Sequence, residues 1–207
     1  MLVLTEKLLL LSIEDDSGEV IPFVSEALRF GLAGAILAEL SLLGKVTVQD
    51  KELILNEDSL TGEELLDEAV ALISDEEVPQ KVTYWIRVLS TKKLKKKVIA
   101  RLVAKNVIAL EEKHFTWVLP SAEGASPGGS AKYGLKLHLR GVILAGEESQ
   151  PTDLILLSLL KACRMLDLVF TRDELKAARK KVDERVRTEV FGKAVTKAIA
   201  ALDTEKE

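Results

Sequence analysis

The chain has one cysteine, two histidines and no apolar run as long as a bilayer is thick, and each scarcity closes a class of function. Cys163, alone, permits no internal disulfide and no cysteine-built zinc site, and fits a reducing compartment. His114 and His138 lack the H-E-x-x-H spacing that sets two ligands and a base on one helix face. They read as surface groups, and no metal site or cofactor is expected. The most apolar run, Leu154 to Leu160, meets Lys161 after seven residues, against the roughly 20 needed to span a bilayer. At the N-terminus no basic stretch precedes the apolar residues, and Asp15 and Asp16 stand where a small-residue cleavage site would lie. A secretory signal is therefore not expected, and the expected address is the cytoplasm.

Enzyme motifs are equally scarce. Neither the phosphate-cradling loop nor the dinucleotide-binding turn occurs. Gly124-Ala-Ser-Pro-Gly128 matches the nucleophile pattern G-x-S-x-G, but Pro127 has no N–H to offer an oxyanion, and no carboxylate lies between Ser126 and His138. Acid/base work by Asp67 and Glu68 is poorly served too, because adjacent helical positions point about 100° apart. The reading is that of a non-enzyme.

What is present is a core-forming composition with uneven charge. The 207 residues are 47% apolar and 30% charged, enough for one domain over 1–207. The net charge of −4 divides into −14 over residues 1–78 and +10 over 79–207. Residues 79–105 carry nine cations, among them Lys92, Lys93, Lys95, Lys96, Lys97 and Arg101, and no acid. Such a run repels itself and points to an anionic partner.

Apolar spacing predicts a mainly α fold. A helix starts near Leu2, and residues 15–19 break it. A second, from Ser25 to Leu43, contains Ala33, Gly34, Ala35 and Ala38, small enough for a neighbour to approach closely. Residues 45–55 alternate around a polar turn and predict a β-hairpin. Ser59 or Thr61 is expected to cap a helix ending near Ser74. Beyond Pro79 a short helix leads to the basic segment, in which Leu94, Val98 and Leu102 form an apolar stripe, with a left-handed cap at Asn106. A second hairpin follows over 107–118. The Gly/Ser/Pro stretch 120–134 is expected to be a flexible loop. Residues 135–144 fit strand or helix, Thr152 is expected to cap a helix through Phe170, and Thr171 to Glu174 has capping-box spacing at the start of a charged final helix.

On the basic helix, Lys92, Lys95 and Lys96 project on one side, Lys93 and Lys97 on the next, with Arg101 a turn further on. Such a face suits either anionic phospholipid, at about 1 kcal/mol per nearby cation, or nucleic-acid phosphates in the manner of a winged helix. Residues suited to reading base edges are few there.

Several segments together resemble the Golgi phosphoprotein 3 family and its bacterial relatives. They are Leu4-Thr-Glu-Lys-Leu-Leu-Leu-Leu, Gly31 to Leu40 with Leu43-Gly-Lys-Val, Thr61 to Ala69, Trp85 to Ser90, and Arg101-Leu-Val-Ala-Lys-Asn-Val. The resemblance covers nearly the whole chain. It implies a central helical bundle ringed by amphipathic helices, with a projecting hairpin used in self-association. It further implies a non-enzymatic adaptor that binds phosphatidylinositol 4-phosphate on the cytosolic face of Golgi membranes and holds the cytosolic tails of membrane proteins. By the same resemblance, two cations of the family's headgroup pocket fall on Lys92 and Lys95, beside Lys96. Its tryptophan falls on Val24 and its arginine on Ala33, so half the pocket has changed chemistry. The family hairpin gives way to the stretch 120–134, which bears on any homo-oligomer.

Overall fold

The computed structural model describes residues 2–14, 19–111, 114–117 and 127–205. Its centre is the helix the small residues foretell. We number the elements in chain order. Helices α1 (Leu4–Ser12) and α2 (Ser25–Leu42) are followed by strands β1 (Val46–Gln49) and β2 (Glu52–Leu55). Then come α3 (Glu64–Ser74), β3 (Gln80–Lys81), α4 (Val82–Leu89) and α5 (Lys92–Ala104). The hairpin β4 (Ile108–Glu111) and β5 (His114–Trp117) precedes α6 (Pro127–Arg140), α7 (Pro151–Ala162), α8 (Leu175–Arg185) and α9 (Phe191–Glu205).

Helix α2 is buried on nearly all sides, and it packs against α1, α3, α4, α5, α7 and α9. Its glycines explain how so many neighbours fit. A Cβ on Gly34 would lie 2.5 Å from Val195 of α9, and one on Gly31 would lie 2.5 Å from the Cys163 sulfur. Leu8, Leu9, Leu10 and Leu11 of α1 are fully buried beside it, each contributing roughly 1.5–3 kcal/mol through loss of apolar surface from water. No helix among the described residues is long and apolar enough to cross a membrane.

The sheets are small. β1, β2 and β3 form an antiparallel sheet in that order, with Thr47 opposite Ile54 and Glu52 opposite Lys81. Strand β3 is an addition to the predicted hairpin. The turn between β1 and β2 is Asp50-Lys51, both with positive φ. The second hairpin, β4 with β5, forms where alternation predicts it, and Asn106 before it has φ 55°.

Four boundaries differ from expectation. The N-cap of α3 is Glu63, with neither Ser59 nor Thr61 capping it; the Thr61 N–H and hydroxyl instead donate to Asp67 at 2.6 Å, fastening the preceding loop to the helix. Of the expected loop 120–134, residues 120–126 lie outside the described residues, while 127–134 are helical, the start of α6. Lys132, 3% exposed, donates to the carbonyl of Ile13 there, so a tertiary anchor overrides the poor helix propensity of Gly128, Gly129 and Gly134. Helix α7 begins at Pro151 with Gln150 as its N-cap and ends at Ala162, well before Phe170. Thr171 N–H does donate to Glu174, at 2.9 Å, but the helix it opens, α8, is followed by another. The turn expected at 15–19 is mostly outside the described residues.

Candidate functional site

The basic segment forms α5, with Leu94, Val98 and Leu102 buried against α1 and α2. That stripe fixes the rotation of the helix, so its charged side chains divide into two groups. The C-terminal group is spent on structure. Lys97 bonds to Glu68 and, at 3.2 Å, to Glu64, both on α3. Arg101 reaches Glu6 at 3.1 Å and Glu63 at 2.5 Å, and Lys105 reaches Glu6 at 2.7 Å. Glu6 itself is fully buried. A carboxylate so enclosed is tolerable only because two cations and the Val3 N–H surround it. Bonding to Glu68, together with Glu64, raises the pKa of Lys97 and keeps it charged.

The N-terminal group is free. Lys92, Lys93, Lys95 and Lys96 have no ion pair or hydrogen bond among the described residues. Lys92, Lys93 and Lys96 are exposed and Lys95 is half-buried. They crowd the first turn and a half of α5, where no acid stands and where Thr91 makes no side-chain cap. The positive end of a helix dipole disfavours cations by about 0.3–1 kcal/mol apiece in exposed settings. Four cations crowded at this end of the helix are therefore locally unfavourable. Five lysines were expected to share this face; the structure leaves four and assigns Lys97, with Arg101, to the acidic N-terminal part of the chain.

The other two expected pocket positions lie apart from solvent. Val24 and Ala33 are both 0% exposed, sealed in the core. Neither side chain can touch a headgroup in this conformation. Beside Val24, however, Phe23 is 64% exposed. Next to Lys93 and Lys97 a groove of about 330 Å³ runs between α3 and the α4–α5 junction, floored by Ile36, Leu65 and Leu94.

Sequence reasoning missed Glu6, Glu63, Glu64 and Glu68 as partners of the basic helix. The opposite charges of the two parts of the chain were the available signal, but which acids meet which cations depends on α1 and α3 both lying beside α5.

The remaining candidate chemistry is structural. Burial pushes the Cys163 thiol up to about 12, which makes it a poor nucleophile. His138 lies 3.0 Å from Asp153, which also accepts the Gln150 N–H at the start of α7. Ser126 lies outside the described residues. Among the described residues no group of His, Cys, Asp and Glu could hold a metal ion.

Comparison with known proteins gives a consistent picture. The family model described as Golgi phosphoprotein 3 (GPP34) matches residues 4–202. Vacuolar protein sorting-associated protein 74 of Schizosaccharomyces pombe is 31% identical, over 55% of this chain and 40% of the relative. Its namesake from Eremothecium gossypii is also 31% identical, over 55% of this chain and 41% of the relative. The matched region spans about two fifths of the length of these relatives.

Proposed function

The chain belongs to the Golgi phosphoprotein 3 family, and from that premise we propose that it is a non-enzymatic adaptor that docks reversibly on anionic membranes through the N-terminal half of α5. The observation that carries the reading is the contrast along one helix. Lys97, Arg101 and Lys105 are held by carboxylates, while Lys92, Lys93, Lys95 and Lys96 have none among the described residues. Four ammonium groups near an anionic leaflet are worth about 1 kcal/mol each, enough for peripheral and salt-sensitive attachment. The family description, Golgi phosphoprotein 3, and the relatives' names, vacuolar protein sorting-associated proteins, support a sorting adaptor at a Golgi or related membrane; in the role proposed, it gathers the cytosolic tails of membrane proteins.

Selectivity follows from what the pocket has lost. Without an aromatic wall at Val24 or a guanidinium at Ala33, and with lysine in place of two-pronged arginine, the face reads charge more than headgroup shape. Phosphatidylinositol 4-phosphate is then bound as one anionic lipid among others.

Vesicle flotation tests the reading. Wild-type protein should float with vesicles of rising anionic content and fall away as salt screens the contact. Lys92→Glu combined with Lys95→Glu should abolish flotation at an ionic strength where wild type floats; unchanged flotation in the double variant would overturn the assignment. Vesicles with and without phosphatidylinositol 4-phosphate at matched charge should differ little. Tight binding of nucleic acid without flotation would place the protein in another class.

A further inference from the structure

Two adjoining grooves at the N-terminal end of α4 hold cations that the reading above leaves unused. The first, about 550 Å³, lies between the β1–β2 turn, the start of α4 and α9, and is lined by Lys51, Lys81, Lys193 and Lys197 with Asp50 as its one acid. The second shares Lys81, Thr83 and Lys197 with it and adds Arg87 and Glu52. Lys51, Lys81 and Lys197 have no ion pair among the described residues; Lys193 donates to the carbonyl of Arg187. Aliphatic side chains of Val48, Val82 and Ala194 form the floor between them.

Backbone conformation at the rim supplies a second, separate observation. Asp50 and Lys51 form a two-residue hairpin turn with φ 50° and 72°, the kind in which glycine is the favoured second residue. A lysine there carries a conformational cost that glycine would avoid. Its side chain lines the groove. The Lys51 carbonyl accepts the Val82 N–H at 2.9 Å, which ties the turn to the start of α4 and leaves the exposed lysine side chain at the groove.

We propose that this groove is a second anion site, separate from α5, for a compact polyphosphate group. Four lysines around so small a volume call for high charge density. A di- or triphosphate brings three or four negative charges within that space, whereas a peptide would need as many neighbouring carboxylates. The first groove has no aromatic platform on which nucleic-acid bases would stack. Lysine, a compact point charge on a flexible stem, suits phosphate oxygens that need no two-pronged partner. The phosphate can come from solution or from a lipid headgroup, and the two sources are separable.

The test titrates the full chain with sodium tripolyphosphate at low salt, following backbone amide shifts by NMR and affinity by calorimetry. Saturable shifts are expected around residues 50–52, 81–84 and 190–198. Lys81→Gln and Lys197→Gln should each weaken affinity roughly tenfold, the scale of one charge-assisted hydrogen bond. Lys51→Gly should weaken it likewise while leaving the thermal midpoint equal or higher, which separates loss of the ligand from loss of the fold. No saturable binding at low salt, shifts confined to 91–97, or groove variants of wild-type affinity would each overturn the proposal. Flotation of the groove variants on anionic vesicles then identifies the source: retained flotation assigns the site to free polyphosphate, and weakened flotation to a headgroup. Because Lys92 and Lys95 remain intact in these variants, failure of the α5 reading and failure of the groove reading are seen independently.

Discussion

Glu6 and Glu39 meet beneath the basic helix and are held in opposite ways. Glu6 is enclosed by Arg101, Lys105 and the Val3 N–H. Glu39 accepts the Thr5 N–H at 3.3 Å, yet burial dominates and pushes its pKa up to about 7; backbone donors and Arg101 oppose the shift, and the charge of Glu6 adds to it. Because the folded value exceeds the ordinary 4.5, the folded state binds the extra proton. The favourable contribution is fully present below pH 4.5 and is lost as pH rises through about 7, a difference of order 3 kcal/mol. Glu39→Gln keeps an oxygen for the Thr5 N–H and has no charge to bury. It should stabilise the protein at pH 8 and change little at pH 4.5. Urea denaturation at the two pH values checks this, and a gain of equal size at both would contradict it.

At the scale of elements, close approach decides the packing. Gly34 of α2 faces Val195 and Leu159, where a methyl group would lie 2.5 and 3.1 Å away. Gly34→Ala must spread α2 from α7 and α9 and should cost about 1–3 kcal/mol. Gly134 of α6 is the control, since nothing lies within 4 Å of its missing Cβ. Gly134→Ala should leave stability unchanged or raise it by up to about 1 kcal/mol through helix propensity. Thermal unfolding of the pair measures the contrast, and equal losses would mean that neither position is governed by the contacts described. The same element shows how tertiary contacts recruit weak sequence: residues 127–134 are helical while Leu139 and Val142 beyond them are buried and Lys132 is tied to α1's end.

Over the whole molecule, charge is sorted and then partly folded back on itself. The net −14 of residues 1–78 and +10 of the remainder meet along one side of α5, where Glu64 and Glu68 hold Lys97. This pairing limits the unpaired cationic surface to the first turns of the helix. Replacing both acids, Glu64→Gln with Glu68→Gln, should release Lys97 and strengthen binding to anionic vesicles about fivefold, the effect of one added cation near a leaflet. Flotation against lipid concentration reads the change; weaker binding in this variant would mean that the two acids orient the docking face.

Local pattern was enough for the helical class, for both hairpins and for the inward stripe of Leu94, Val98 and Leu102, because each depends on periods of two or 3.6 residues that a short window contains. The left-handed Asn106 was legible for the same reason. Tertiary structure alone decided which lysines are free. Burial of Val24 and Ala33, pairing of Lys97 with α3 and of Arg101 with Glu6, 95 positions away, and the meeting of Lys51 with Lys197 in one groove all join residues distant in sequence. Coulomb interaction and desolvation depend on separation in space, and a linear pattern carries charge without carrying distance.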